Sequence, residues 1–246
     1  MSTIKKYLSS LDSAGYFVLI DPDRKNADLL DDLVPAVNES GADGILVGGS
    51  LFMDGKFHSR ISRIKELSNV PVILFPGSAT QLNSHCDVVL FMSVISGRNA
   101  NHLIGEQVVA APIVKDLGIE SIPTGYMLFD GGGNSTVEFM SNSKPLPMER
   151  ADLAVAHGLA AQYLGMQLLY LEAGSGAKHP VPDETISAMK SEVDLPLIVG
   201  GGITTPEIAG QKVKAGADFI VTGTVMEESV NVKLLTEFAK AVHQSK

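Results

Sequence analysis

Two short apolar runs near the carboxyl terminus each stop at glycine, and this repeated pattern constrains the fold more than any other feature. Residues 196–199 run into glycines 200–202, and residues 219–221 run into residues 222–224. Short β-branched runs bounded by turn residues are typical of strands buried on both faces. Between them, residues 204–207 supply the threonine, proline and acid that begin a helix. The stretch therefore predicts a strand, a helix and a parallel strand.

The same alternation of strand and helix patterns extends over the rest of the chain. Further strands are predicted at residues 16–20, 44–47, 70–75, 88–91, 126–129 and 167–172. Eight strands that alternate with helices in 246 residues predict a (β/α)8 TIM barrel of the α/β class, as a single domain over residues 1–246. A doubly wound open sheet is the alternative.

Three segments are expected to depart from the regular repeat. The link between the third and fourth strands is short, which predicts a third helix that is short or irregular. Ile4, Leu8 and Leu11 recur at helical spacing and predict an added N-terminal helix. Residues 131–147 are rich in Gly, Asn and Ser without helical periodicity, which predicts a long loop that is functional or disordered.

The composition argues against several kinds of partner. The formal net charge is −9 and the pI is about 5.1, whereas nucleic acids and anionic membranes need a basic surface. Cys86 is the single cysteine, so no internal disulfide can form. No apolar run reaches the length of a transmembrane segment and no targeting signal is recognised, so a cytoplasmic location is expected.

The glycines after the last two strands predict an anion site. Glycine lets a ligand approach the backbone closely, and the N–H groups at the start of a helix attract negative charge. In TIM barrels a phosphate often binds the loops after the last two strands, which here contain Gly201, Gly202, Gly223 and Thr224. The alternative is that these glycines only form tight turns.

A metal site is predicted after the first two strands. Asp21 and Asp23 follow the first strand and Ser50 follows the second, and the carboxyl ends of barrel strands converge on one face. Mg²⁺ is commonly held by few carboxylates together with water and a substrate phosphate. The alternative is that the Asp-Pro-Asp sequence caps the next helix.

Another polar group follows the sixth strand, in the sequence Tyr-Leu-Glu-Ala-Gly-Ser-Gly. Glu172 could accept a proton or hydrogen bonds from hydroxyl groups, while backbone N–H groups of residues 174–176 could bind an anion. The alternative is that Glu172 pairs with Lys178. His157 is expected to be a packed core histidine, and the histidine spacing does not indicate zinc.

Six motifs together resemble those of the geranylgeranylglyceryl phosphate synthases. The resemblance covers almost the whole chain, and the motif around Glu172 is the most specific. The motifs are Leu19-Ile20-Asp21-Pro22-Asp23, Val47-Gly48-Gly49-Ser50, Phe75-Pro76-Gly77-Ser78, Tyr170-Leu171-Glu172-Ala173-Gly174-Ser175-Gly176-Ala177, Val199-Gly200-Gly201-Gly202-Ile203 and Thr222-Gly223-Thr224.

The resemblance implies a prenyltransferase of ether-lipid biosynthesis that uses Mg²⁺. Such an enzyme joins sn-glycerol 1-phosphate to a long-chain prenyl diphosphate, such as geranylgeranyl diphosphate, and releases diphosphate. The resemblance implies that Asp21 and Ser50 hold the metal and that the catalytic residues are Asp21 and the base Glu172. The glycerol-phosphate site that it implies comprises Tyr170, Leu171, Glu172, Ala173, Gly174, Ser175, Gly176, Gly201, Gly202, Gly223 and Thr224.

Two positions depart from the family pattern. Leu19 stands where some members have a lysine, and Gly223-Thr224 stands where many have Gly-Asn. The branch that the chain resembles forms homo-oligomers, often hexamers. The runner-up function is a barrel isomerase or aldolase acting on a small sugar or amino-acid phosphate. A non-catalytic phosphate-binding protein is a third alternative, although it would need the glycine loops without the two carboxylates.

Overall fold

The computed structural model of the protein describes residues 10–133, 135–223 and 230–245. In these ranges eight parallel strands form a closed barrel, in which strands pair in chain order and the eighth pairs with the first. The predicted TIM barrel is confirmed. The strands are β1 (Gly15–Ile20), β2 (Gly44–Val47), β3 (Val72–Leu74), β4 (Val88–Val94), β5 (Glu120–Leu128), β6 (Leu168–Glu172), β7 (Leu197–Gly200) and β8 (Phe219–Thr222).

Eight α-helices occur in the described part of the chain. None of them is long and apolar enough to cross a membrane. A 3-10 helix (Arg24–Leu29) precedes the first, and a π-helix (Asn101–Gly105) precedes the third. The helices are α1 (Leu30–Ser40), α2 (Phe57–Leu67), α3 (Glu106–Leu117), α4 (Thr136–Ser141), α5 (Ala151–Tyr163), α6 (Asp183–Glu192), α7 (Pro206–Ala215) and α8 (Val232–His243).

Apolar side chains form two cores because successive residues of a strand point to opposite faces of the sheet. The inner core fills the barrel and includes Phe17, Leu46 and Tyr170. The outer core lies between strands and helices and includes Val18 and Leu171. Each strand is therefore buried on both faces, which is why its sequence is a continuous apolar run.

The helix that a regular barrel would have between β3 and β4 is almost absent, as predicted. Between β3 and β4 the chain forms only the 3-10 helix Ala79–Gln81, three residues long. The outer face of β4 consequently has no full-length helix from this link packed against it.

Three segments differ from the sequence-based expectations. Residues 131–147 contain helix α4, which Ser135 caps by accepting a hydrogen bond from the Glu138 N–H, so the expected loop is partly regular. Strand β5 begins at Glu120, well before the expected residue 126. The expected N-terminal helix falls mostly on residues 1–9, outside the described ranges.

The buried face of helix α5 does not include His157. The buried residues are Ala154, Gly158 and Ala161. His157 is only half-buried, and its Nδ1 lies 2.7 Å from the Leu153 carbonyl oxygen. The prediction that His157 is a packed core histidine was therefore wrong. Small apolar residues occur on every side of this helix, so its sequence defines no single apolar stripe.

Gly48 should not tolerate a side chain. A Cβ atom there would lie 1.8 Å from the Phe75 carbonyl oxygen, because the end of β2 passes against the chain after β3. We expect Gly48→Ala to lower the free energy of unfolding by about 2 kcal/mol or more. The control is Gly55→Ala, where nothing lies within 4 Å of the added atom. Urea denaturation checks both variants, and equal stabilities would contradict the expectation.

Candidate active site

Glu172, the last residue of β6, lies in the mouth of the barrel and is only 7% exposed. Its Oε1 accepts a hydrogen bond of 2.6 Å from the Gly174 N–H. Burial raises the pKa of Glu172 to about 7, although a hydrogen bond from the Gly174 N–H and the nearby Tyr170 hydroxyl lower it. The Lys178 side chain is exposed, and no cation is among the groups that set this pKa. The alternative of a Glu172–Lys178 ion pair is therefore not supported.

Two tyrosines lie beside Glu172, and a phenylalanine packs against them. Phe75 stacks on Tyr170 with 4.8 Å between ring centroids, and Tyr126 lies 5.7 Å from Tyr170. Burial, assisted by the charge of Glu172, raises the pKa of both tyrosines well above the ordinary value, so both hydroxyls stay protonated. The Tyr170 hydroxyl is close enough to Glu172 to lower its pKa, yet it makes no hydrogen bond of good geometry. A buried hydroxyl without a partner is costly, which points to a polar ligand or water at this place.

The loop after β7 approaches Glu172 so closely that only glycine fits. Gly201 has a φ of +80°, and a Cβ atom there would lie 2.5 Å from Glu172 Oε1 and 2.7 Å from the Gly174 nitrogen. Gly202 is also left-handed, with a φ of +69°. At Gly223 a Cβ atom would lie 3.3 Å from the Leu19 Cβ. The loops after β6 and β7 thus meet at the buried carboxyl group.

Some residues of the predicted glycerol-phosphate site do not present their side chains to it. Leu171 and Ala173 belong to the outer core, so only their backbone groups can contribute. Ser175 and Gly176 are exposed in the loop after β6. Thr224 lies outside the described residues.

A second polar group lies at the ends of β1 and β2. Asp21 continues the inward-facing positions of β1, because Phe17 and Leu19 both contact the inner core. Gly49 lies beside it, since a Cβ atom there would be 3.0 Å from Asp21 Oδ1. Ser50 follows Gly49, and both line the groove described below. Asp21 and Ser50 are therefore placed in the same part of the barrel mouth.

Asp23 is engaged elsewhere. Its Oδ1 accepts a hydrogen bond of 3.0 Å from the Met53 N–H. Arg60 joins the same two loops, because it donates to the Pro22 carbonyl oxygen at 3.3 Å and forms two hydrogen bonds of 2.7 Å with Asp54. Asp23 therefore connects the loops after β1 and β2. Sequence reasoning missed Arg60, since nothing in its spacing shows that it reaches Pro22.

An apolar groove begins beside Ser50 and runs outward between the β3–β4 link and the start of α3. Its empty volume is about 900 Å³, which includes the open side. Both faces of β4 line it, Leu90 and Met92 from the inside and Phe91 from the outside, because no full helix covers β4. The other lining residues are Gly49, Phe75, Pro76, Gly77, Ser78, Ala79, Leu82, Val89, Val94, His102, Glu106, Gln107, Ala110, Tyr126, Val137, Met140 and Ser141.

Phe75 and Tyr126 connect the groove with the polar site. Both line the groove, and both rings contact Tyr170, which precedes Glu172 by two positions on β6. An apolar ligand in the groove would therefore have one end next to the buried carboxyl group.

The surroundings of Asp21 fit a magnesium ion. One carboxylate and one hydroxyl are few protein ligands, and Mg²⁺ commonly completes its coordination with water and phosphate oxygens. A side chain at position 49 would crowd the Asp21 carboxylate, because its Cβ atom would lie 3.0 Å from Oδ1. The described residues contain no cluster of three or more His, Cys, Asp or Glu suited to a metal.

The sequence is similar to a known family over nearly its whole length. Residues 9–242 match the PcrB family. A geranylgeranylglyceryl phosphate synthase of Thermococcus kodakarensis is 47% identical over 223 residues, which cover 90% of this chain and 88% of that protein. One of Spirosoma linguale is 44% identical over 230 residues, which cover 94% and 92%.

Solved structures show the same likeness. The crystal structure of (S)-3-O-geranylgeranylglyceryl phosphate synthase from Thermoplasma acidophilum, in complex with substrate sn-glycerol-1-phosphate, has a TM-score of 0.90 and 35% identity over 99% of each chain. Wild-type GGGPS from Thermoplasma volcanium has a TM-score of 0.91 and 38% identity over 99% of this chain and 98% of that one. A thiamine phosphate pyrophosphorylase from Pyrococcus furiosus, at 16% identity and a TM-score of 0.60, shows the fold alone.

The buried Glu172 carboxyl group should make stability depend on pH. The folded protein keeps this proton up to a pH of about 7, whereas the ordinary pKa is 4.5. Between these values unfolding releases a proton, so the contribution to the free energy of unfolding falls as pH rises, by up to about 1.4 kcal/mol per pH unit. We expect wild type to lose stability relative to Glu172→Gln between about pH 4.5 and pH 7. Urea denaturation across this range checks it, and a constant difference would exclude the raised pKa.

Proposed function

The chain belongs to the PcrB family and is a prenyltransferase of the geranylgeranylglyceryl phosphate synthase type, and from this premise we propose that it joins sn-glycerol 1-phosphate to a long-chain prenyl diphosphate. The observation that carries the proposal is the apolar groove whose lining residues Phe75 and Tyr126 contact Tyr170, two positions before the buried Glu172. A reaction between a long hydrocarbon chain and a small hydroxylated phosphate needs these two surroundings next to each other.

The glycerol phosphate occupies the side of the mouth formed by β6, β7 and β8. The phosphate faces the backbone of the loops that contain Gly174 and Gly201, which are left-handed glycines without a side chain to cover the backbone N–H groups. The hydroxyl groups face Glu172 and the unpaired Tyr170 hydroxyl. The 35% identical Thermoplasma acidophilum protein, which carries sn-glycerol-1-phosphate in its crystal structure, supports this substrate.

The prenyl diphosphate occupies the other side. Its hydrocarbon chain lies in the apolar groove, and its diphosphate lies at the inner end next to Asp21 and Ser50. A Mg²⁺ ion held by Asp21 and Ser50 would offset the diphosphate charge and stabilise it as a leaving group. We therefore assign metal binding to the Asp21 carboxylate and proton transfer to Glu172.

In the proposed reaction one bond forms, one bond breaks and one proton is transferred. The glycerol hydroxyl oxygen forms a bond with the first prenyl carbon, and the bond from that carbon to the diphosphate oxygen breaks with its electron pair. Glu172 accepts the hydroxyl proton, for which a pKa of about 7 is suited. The faces of Phe75, Tyr126 and Tyr170 stabilise positive charge that develops on the prenyl carbon.

A two-substrate assay tests the proposal. Purified protein is incubated with labelled glycerol phosphate, Mg²⁺ and prenyl diphosphates of several lengths, and lipid-soluble product is extracted. The sn-glycerol 1-phosphate form should react and the 3-phosphate enantiomer should react poorly, because it leaves buried polar groups unpaired at about 1–3 kcal/mol each. Equal rates with both enantiomers, or no lipid product, would refute the proposed function.

Substitutions of the two carboxylates, Asp21 and Glu172, should have different effects. Asp21→Asn should weaken binding of metal and prenyl diphosphate and leave glycerol-phosphate binding intact. Glu172→Gln should slow the chemical step by about 10²–10⁴-fold with little change in metal affinity. Calorimetric binding and single-turnover rates measure each effect.

Asp23→Asn is the matched control for the metal site. Asp23 accepts its hydrogen bond from Met53, which an Asn oxygen can also accept, so metal affinity should stay close to wild type. Loss of glycerol-phosphate binding in Asp21→Asn, together with unchanged turnover in Glu172→Gln, would refute the division of roles.

The runner-up functions have less support. An aldolase of this fold would use a lysine at a strand end, and none of the eight described strands contains lysine. A protein that only binds phosphate would not need a buried proton acceptor at the end of an apolar groove.

We further propose that the chain forms homo-oligomers, with a hexamer as in the branch that it resembles. Large apolar side chains are exposed on the outside of the barrel, Val108 at 65%, Val109 at 58%, Tyr163 at 80% and Leu164 at 75%. Exposed apolar groups of this size favour association. Light scattering at micromolar concentration measures the mass, and a value equal to one chain of 26.0 kDa would contradict association.

A further inference from the structure

The backbone directly after the Asp21 side chain is held by two buried side chains, Asn26 and Arg60. Asn26 Nδ2 donates a hydrogen bond of 2.9 Å to the Asp21 carbonyl oxygen. Arg60 Nη1 donates one of 3.3 Å to the next carbonyl oxygen, that of Pro22. The two peptide groups that follow Asp21 therefore have fixed orientations, which constrain where its carboxylate can lie.

The same Arg60 side chain also holds the loop that carries Ser50. Its Nη1 and Nη2 each donate a hydrogen bond of 2.7 Å to one carboxylate oxygen of Asp54, in the loop after β2. A guanidinium group bound to a carboxylate by two parallel hydrogen bonds has a defined orientation. Asp54 is itself fixed, because its Oδ1 also accepts a hydrogen bond of 3.0 Å from the Lys56 N–H. Arg60 on α2 is therefore bonded to both loops that carry the proposed metal ligands.

The two loops also contact each other directly. Asp23 Oδ1 accepts a hydrogen bond of 3.0 Å from the Met53 N–H. Asp23 follows closely on Asp21, and Met53 follows closely on Ser50. The separation of the two proposed metal ligands is therefore constrained by contacts of their neighbours in both loops.

We propose that Arg60 and Asn26 are positioning residues for the Mg²⁺ ion of the proposed metal site, and through it for the diphosphate group of the prenyl substrate. This inference rests on the proposed function. Mg²⁺ demands near-ideal octahedral coordination, whereas loops that leave two different strands can move relative to each other. Without Arg60 or Asn26, both ligands remain in the chain but their relative position is no longer fixed.

Binding of inorganic diphosphate in the presence of Mg²⁺, measured by titration calorimetry, tests the inference without turnover. Arg60→Met removes the hydrogen bonds to both loops, and methionine is flexible enough to fill the buried space. Asn26→Ala removes only the hydrogen bond to Asp21. Each variant should weaken diphosphate binding by about 10–100-fold, the usual effect of losing a group that supports a metal ligand. Binding of glycerol phosphate should stay at the wild-type affinity.

Asn26→Ala separates positioning from charge. Arg60→Met also removes a positive charge, which by itself weakens the binding of an anion, whereas Asn26→Ala leaves the charge of the protein unchanged. Weaker diphosphate binding in Asn26→Ala therefore reports the position of Asp21. In the background of Asp21→Asn, adding Arg60→Met should cause little further loss, because Arg60 acts through the metal ligand.

The Mg²⁺ dependence of turnover gives an independent readout. Both variants should need more Mg²⁺ than wild type for half-maximal rate in the two-substrate assay. Saturating Mg²⁺ should restore kcat to near the wild-type value, because Asp21, Ser50 and Glu172 are all still present. A kcat that stays low at saturating Mg²⁺ would overturn a role in metal positioning.

Lys65→Met is the matched control. Lys65 lies on the same helix α2, and it also forms two hydrogen bonds of 2.7 Å with an aspartate, Asp87. Asp87 accepts a hydrogen bond of 2.8 Å from the Val72 N–H at the start of β3, which is the end of the barrel opposite the mouth. Lys65→Met should therefore leave diphosphate affinity and Mg²⁺ dependence unchanged.

Circular dichroism establishes which variants fold, and Asn26→Ala decides if Arg60→Met does not. Unchanged diphosphate affinity in a folded variant overturns the role of that residue, and an equal loss in Lys65→Met overturns both roles. A wild type that binds no diphosphate with Mg²⁺ refutes the metal assignment and the inference with it. A wild type that binds diphosphate but forms no lipid product refutes the proposed function instead.

Discussion

The buried carboxyl group of Glu172 is the constraint on which the rest of the site depends. A carboxyl group that is buried away from water, with no cation beside it, keeps its proton to a higher pH. Here the pKa rises to about 7. The neighbouring loops must then provide hydrogen bonds and space for this carboxyl group without placing a charge beside it. Gly174 does so with a backbone N–H, and Gly201 does so by having no side chain where a Cβ atom would touch the carboxylate. The glycines therefore serve the acid as much as any anion.

The groove follows from a second constraint, the near absence of one helix. A (β/α)8 barrel normally covers each strand with a helix, and the link between β3 and β4 provides only Ala79–Gln81. Three residues make too few backbone hydrogen bonds to be stable alone. Side chains replace them, Gln81 toward the barrel mouth and Glu106 from the first turn of α3. The groove and the side-chain hydrogen bonds that hold the β3–β4 link thus have the same origin.

The sequence predicted features that depend on local patterns. Strands buried on both faces appear as continuous apolar runs, and the glycines and carboxylates at their ends marked the mouth of the barrel. Features that depend on distant contacts were not predictable. Arg60 reaches Pro22 and Asp54 only in the folded chain, and this contact, with the Met53–Asp23 hydrogen bond, explains why Asp23 differs from Asp21. Helix α4 has six residues, too few for a periodic pattern, and the start of β5 contains polar residues.

The separation of Asp21 and Glu172 has a physical reason under the proposed function. A divalent cation next to Glu172 would favour its charged form and lower its pKa, so the group would be a weaker proton acceptor near neutral pH. Asp21 extends from β1, while Glu172 extends from β6, and the stacked rings of Phe75 and Tyr170 lie in the mouth of the same barrel. Aromatic rings contribute no formal charge, yet their faces stabilise positive charge on a prenyl carbon. The charged end of one substrate is thereby kept away from the carboxyl group that must accept a proton from the other.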